Sequence, residues 1–305
     1  MQRSLDTFSA ACTNFGLTID TNKTKVMHQP APADSYMEPN FTVDGKRLAA
    51  TNKFIYLGST LSRTVNIDEE VTYRIARASS AFGRLRTKVW ERRGITLQTK
   101  LKVYRAVVLP SLLYACESWT VYSRHAKQLN GFHLRCLRKL LRIKWQDRVP
   151  DTEVLRMAKS ESIHATLKRS QLRWAGHVCR MPDERLPKKL FFGELCQGKR
   201  SRGGQRKRYK DMLKATLKGC RLNPNTWESD CQDRPSWRTM VSCGVTKFED
   251  LRMSDAEQKR QIRKSKSTSS SQPSTSTLAC PHCQRLFKAR IGLVSHLRIH
   301  NTSRT

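Results

Sequence analysis

The chain has 305 residues, 58 Lys and Arg against 25 Asp and Glu, and a formal net charge of +33; such an excess calls for a polyanionic partner, nucleic acid first and an acidic membrane surface as the alternative. No apolar run approaches the roughly 18 residues of a membrane-spanning helix, and the N-terminus lacks the charged-then-apolar order of a secretory signal. Ten Cys without a signal segment fit a reducing compartment. Residues 2–15 read as an amphipathic helix with Leu5, Phe8, Cys12 and Phe15 on one face and Gly16 ending it. Leu17–Asp20 and Lys25–His28 read as short extended segments, Phe41–Leu48 as a hairpin about Asp44-Gly45, and Phe54–Leu57 as a strand stopped at Gly58.

From Ile67 the pattern turns helical. Asp68, Glu69 and Glu70 place acids in the first turn of a helix running towards Trp90, and Thr99–Leu109 makes a second helix that Pro110 stops. In Ala126–Ile143, Leu129, Phe132, His133, Cys136, Leu137, Leu140 and Leu141 recur at helical spacing. The opposite face carries Lys127, Arg135, Arg138, Lys139 and Arg142, a solvated face or a phosphate-contacting one. Asp151–Lys159, Ile163–Val178, Arg208–Lys218 and Lys247–Lys264 are further helical stretches. His177 and Cys179 have no paired partners nearby, so His177 reads as a packed residue near a helix end.

Lys199–Lys210 holds seven basic residues in twelve: Lys199, Arg200, Arg202, Arg206, Lys207, Arg208 and Lys210. With Gly203-Gly204 inside it, the run reads as a phosphate-gripping loop or a nuclear import signal. Lys264–Ala279 is Ser/Thr-rich and reads as a linker. Beyond it, Cys280 and Cys283 are followed after twelve residues by His296 and His300. That C-x2-C-x12-H-x3-H spacing is that of a ββα zinc finger, with one structural Zn²⁺ as cofactor. Phe287 and Leu293 would form its small core, and His282 would be a bystander. The positions that would face bases are Ala289, Gly292 and Ser295, none able to make a bidentate base contact, whereas Arg285, Lys288, Arg290 and Arg298 can hold phosphates. A nucleic-acid anchor of low base specificity is therefore expected, with a protein-contact finger as the competing use.

Several segments, taken in order, resemble the C-terminal part of the reverse transcriptase of a non-LTR (LINE-type) retrotransposon. Phe15–Met27 resembles the motif after the polymerase active site, and Phe54–Leu61 the next motif, a hairpin that grips the primer end through Tyr56, Leu57 and Gly58. Tyr104–Trp119 and Leu172–Met181 resemble the thumb and the region downstream of it. The resemblance implies a right-hand polymerase whose two Mg²⁺ ions need clustered carboxylates. This chain has no Asp-Asp pair, so by the resemblance the pair would precede Met1, and Lys23 and Lys25, near a triphosphate in the family, read here as surface charges.

The expected fold class is α+β: a β-containing palm remnant over residues 1–66, a helical thumb-like body over 67–263, a linker over 264–277 and the finger over 278–305. Residues 1–60 are expected to pack poorly. The expected function is zinc-dependent binding of DNA or RNA with little sequence preference, in the nucleus, without enzymatic activity of its own and without a membrane. Alternatives are a working RNA-directed DNA polymerase completed by an upstream fragment, and a protein-interaction adaptor.

Overall fold

A computed structural model describes residues 1–30, 35–63, 66–193, 207–269, 278–287 and 289–302, in two compact units, Met1–Met253 and Ser254–Thr305. The fold is α+β: mostly helical, with short strands in two-stranded sheets.

The first unit opens with α1, Gln2–Asn14. Gly16 ends it at a φ of +67°, and the Leu17 N–H returns to the Cys12 carbonyl at 2.8 Å, the closing bond of a left-handed helix cap. The apolar stripe of α1 finds no core: Phe8 is 59% and Phe15 82% exposed. What the helix buries is Ser9, whose hydroxyl donates to the Asp44 carboxylate at 2.7 Å. Leu17–Asp20 forms no strand, while β1 (Lys25–Val26) pairs in parallel with β4 (Ala49–Ala50). Between them β2 (Thr42–Val43) and β3 (Lys46–Arg47) close the expected hairpin, with Asp44 and Gly45 both at positive φ, the two-residue turn whose twist matches antiparallel strands.

A second hairpin follows where the sequence pattern ends a lone strand. β5 (Lys53–Tyr56) pairs with β6 (Ser59–Ser62) through a two-residue turn, Leu57-Gly58, again with both φ positive. Leu57 accepts a left-handed conformation that favours Gly or Asn, so the turn has no Asn-Gly signature. Its tip is held from outside. Arg74 donates to the Gly58 carbonyl and the Tyr114 hydroxyl donates to the Leu57 carbonyl at 3.0 Å. Glu70 accepts from the Thr60 N–H at 2.7 Å and from Arg74 Nε at 2.7 Å. Glu70 and Arg74, one turn apart on α2 (Asp68–Arg84), are 2% and 6% exposed, a buried ion pair whose strand contacts complete its hydrogen bonding.

The helical body continues through α3 (Leu97–Val103), α4 (Leu109–Leu112), α5 (Ser123–Leu140), α6 (Asp151–Met157) and α7 (Ile163–Cys179). The stretch expected to reach Trp90 as one α-helix instead changes to a π-helical turn at Arg86–Trp90, and a second π-helical turn, Tyr104–Val108, joins α3 to α4. Pro110 does not stop the helix as expected. It sits in the first turn of α4, after the widened π turn, where its missing N–H and its ring cost least. On α5 the expected stripe is buried from Leu129 to Leu140, along with Leu134, while Arg135, Lys139 and Arg142 are exposed.

Two apolar cores result. Val71, Tyr104, Leu112, Leu129, Leu137 and Val154 belong to the first; Leu172, Leu213, Leu217, Trp227, Trp237 and Val245 belong to the second. Each fully buried Leu or Val contributes about 1.5–3 kcal/mol. α7 is a wall of both: Ile163 and Leu167 face the first, Ala165, Leu172 and Ala175 the second. The second core is completed by α9 (Tyr209–Gly219), α10 (Trp227–Asp230) and α11 (Arg234–Ser269). Gly176 admits the Trp237 ring so closely that a Cβ there would lie 2.2 Å from Nε1, and that indole donates to the Leu172 carbonyl at 3.1 Å. α8 (Leu186–Phe192) and α10 have no counterpart in the sequence reading, and α11 starts 13 residues before the expected Lys247.

In the second unit α11 runs to Ser269, so the helix enters the stretch expected to be linker from residue 264; residues 270–277 lie outside the described residues. β7 (Leu278–Ala279) and β8 (Leu286–Phe287) then pair antiparallel, followed by α12 (Arg290–Thr302).

Candidate metal centre

The turn between β7 and β8 brings Cys280 and Cys283 to one place. The Cys280 N–H donates to the Arg285 carbonyl at 2.9 Å, the Gln284 N–H to the Cys280 carbonyl at 2.8 Å, and Gln284 takes a φ of +57° to close the loop. His296 and His300 lie one turn apart on α12 and so share a face. The Cys283 sulfur is 3.0 Å from His296 Nε2, and the two imidazole Nε2 atoms are 3.1 Å apart. All four donor atoms lie within 4.8 Å of one another. With Zn–S near 2.3 Å and Zn–N near 2.0–2.1 Å, the edges of a ligand tetrahedron are roughly 3.3–3.8 Å, so the cluster is of a size to hold one metal ion.

The electrostatics suit a cation. Burial pushes the Cys280 thiol up, but the N–H groups of His282 and Cys283 and the Cys283 side chain outweigh it, and the net direction is down, towards thiolate. Desolvation, with the charges of His300 and Arg285, lowers His296, towards the neutral imidazole that ligates metals. Apolar support is slight. Phe287 and Leu293 are half-buried, as expected of a small core, with the Phe287 ring 4.9 Å from that of His296. Cys280 is buried, whereas Ile291 is 82% exposed. His282 sits 5.2 Å from the His300 ring without joining the cluster.

The expected phosphate contacts fall in both units. Arg285, Arg290 and Arg298 are exposed on the C-terminal unit; Lys288, and in the basic run Lys199, Arg200, Arg202 and Arg206, lie outside the described residues. Lys207 is exposed, its backbone N–H donating to the Tyr122 hydroxyl at 3.2 Å. Arg208 pairs with Asp211 at 3.3 Å, and Lys210 donates to the Phe192 carbonyl at 2.9 Å, so both are partly engaged within the fold. Arg138 of the basic face of α5 likewise pairs with Asp151 at 2.7 Å. His177, expected to pack, is exposed on the last turn of α7.

Tyr56, Leu57 and Gly58 sit together at the second hairpin, with both apolar side chains exposed. The sequence reading missed the residues that fix them, Glu70, Arg74 and Tyr114. The Glu70/Arg74 spacing of four on a helix was the available signal, but such pairs are common on solvated faces.

No family model matches the chain. Over 245 residues it is 25% identical to an uncharacterized transposon-derived protein of Caenorhabditis elegans, which covers 77% of this chain and 86% of the worm protein. Over 155 residues it is 25% identical to the RNA-directed DNA polymerase from mobile element jockey of Drosophila funebris, which covers 50% of this chain but only 17% of that polymerase. No solved structure matches. These homologues support a retrotransposon-derived protein with weak similarity to a LINE reverse transcriptase.

Proposed function

We propose that this chain is a nucleic-acid-binding protein derived from the thumb-and-tail region of a LINE-type reverse transcriptase, with Cys280, Cys283, His296 and His300 holding one structural Zn²⁺. The observation that carries the reading is the Cys2His2 cluster, set in a tail with no acidic residue after Glu257. A four-ligand site leaves no position for an activated water, so zinc there would fold the unit rather than catalyse. Arg285, Arg290 and Arg298, with Lys207 and Arg208, would grip phosphates without reading bases, in DNA or RNA. Polymerisation is not proposed for the chain alone, since it has no Asp-Asp pair to hold the metal ions. The Lys199–Lys210 run would direct it to the nucleus.

The test is binding of the zinc-loaded chain to unrelated duplexes between 50 and 200 mM salt. Affinity should fall by on the order of 10³-fold or more and vary little between sequences; a flat salt dependence defeats the reading. Two observations favour second readings. Ile291 and Val294 stand exposed on α12, as a protein-contacting helix would have them. The exposed Phe8 and Phe15 favour a polymerase completed by further sequence, and Mg²⁺-dependent extension of a primer once an upstream fragment is added would establish that one.

A further inference from the structure

Two adjoining cavities lie along the end of α7 and the short helix α8. The larger, about 500 Å³, is lined by Trp174, Phe191, Tyr209 and the exposed Leu186 and Leu190, and also by Arg208 and Lys210. The Trp174 ring meets Phe191 and Tyr209 edge to face at 5.7 and 5.4 Å, so the aromatic wall is fixed while Trp174 stays only half-buried. The smaller, about 390 Å³, shares Pro187 with the first and is walled by His177, Arg180 and Arg185. Arg180 is held in place by donating to the Cys231 carbonyl at 2.6 Å. Of the nearby acids Asp183 and Glu184, Asp183 is paired with Lys188 at 2.8 Å. Trp174 and His177 are three residues apart on α7, one turn and about 4.5 Å along the axis, so the aromatic cleft and the cationic one are neighbours on a single path.

We infer that these two cavities bind single-stranded nucleic acid, an unpaired base entering the cleft of Trp174 and Tyr209 and the adjoining phosphate lying against His177, Arg180 and Arg185. The inference rests on the nucleic-acid reading above and names the strand state that it takes. A cationic groove alternating with aromatic platforms is what single strands require, because every base has a face to stack and every linkage a charge. Paired bases keep their faces stacked within the helix and cannot enter. The cleft falls within the size range of sites for small organic groups, about 300–1,000 Å³. An apolar peptide would fill the larger cavity and leave Arg180 and Arg185 beside it unmatched; a nucleotide uses both.

The test uses the full chain, short DNA and RNA single strands carrying 2-aminopurine, and a duplex of the same sequence. Both single strands are used because stacking and phosphate contact draw on groups the two share. The complex with at least one of them should show quenched 2-aminopurine fluorescence. Leu190→Asp places a carboxylate at a position 72% exposed, so it should fold normally. It should weaken single-strand binding by about tenfold and leave duplex binding unchanged. Arg185→Gln should lower the salt slope of single-strand binding by about one. Absence of quenching, or a Leu190→Asp variant that binds single strands like the parent, overturns the inference; if the duplex still binds, the broader reading stands. A chain that binds neither form overturns both.

Discussion

The helical body and the C-terminal ββα unit solve the same problem by different chemistry. The body buries two contiguous sets of apolar side chains, with Leu129, Leu137, Leu172 and Leu217 wholly out of water. In the ββα unit no apolar side chain other than Cys280 is fully buried among the described residues, and Leu286, Ile291 and Val294 face solvent. What converges there is four donor atoms. A segment so short cannot bury enough surface to offset its conformational entropy, so its order would rest on an ion held by those donors, whereas the order of the body rests on packing.

Removing the metal should therefore divide the molecule. Metal binding at such a site contributes on the order of 10 kcal/mol to folding. Treatment with a chelator, or Cys283→Ser, should abolish the amide protection of α12 while leaving that of α5 and α7 intact; equal loss in both regions would end the contrast. Within the body, the largest single cost should come from the buried ion pair. Arg74→Met leaves Glu70 enclosed without its ionic partner, at a cost of about 3–5 kcal/mol. Urea unfolding should show this, and adding Glu70→Gln should restore part of the loss.

Acid should weaken the body through His133. Burial, foremost, pushes its imidazole down to about 4, while Nδ1 lies 2.8 Å from the Tyr104 hydroxyl. The unfolded chain then binds a proton that the folded one refuses, so stability is full above about pH 6.5 and falls as pH drops towards 4, by about 3 kcal/mol. His133→Asn, which keeps an acceptor for Tyr104, should remove that component of the slope. The smallest effect expected is a gain. Arg142 ends α5 at a φ of +57°, where Gly is favoured, and Arg142→Gly should stabilise the body by up to about 1 kcal/mol in the same urea assay.

That helix end shows where sequence becomes hard to read. α5 was legible because Leu129, Phe132, Cys136, Leu137 and Leu140 repeat at one period and face one core. Its end was not, because an Arg occupies the left-handed position; Lys159 and Arg221 end α6 and α9 in the same way. Pro110 misled for a related reason, since the π-helical turn before it absorbs the clash that normally breaks a helix. The Leu57-Gly58 turn carries no Asn-Gly signal, and it stands because Arg74 and Tyr114 hold its carbonyls from elsewhere in the chain. The convergence of Cys280, Cys283, His296 and His300 could be read directly, since two local spacings and one helical turn determine it. The paired cavities beside Trp174 could not, since they join α7, α8 and the start of α9.

The position of α7 has a practical consequence. One helix of 17 residues supplies Ile163 and Leu167 to one core and Leu172 and Ala175 to the other. A construction that severs the chain on either side of it strips one core of a wall and leaves an apolar face of the helix uncovered. The two cores should therefore melt in a single transition, and a probe on Trp237 would report the loosening of Tyr104.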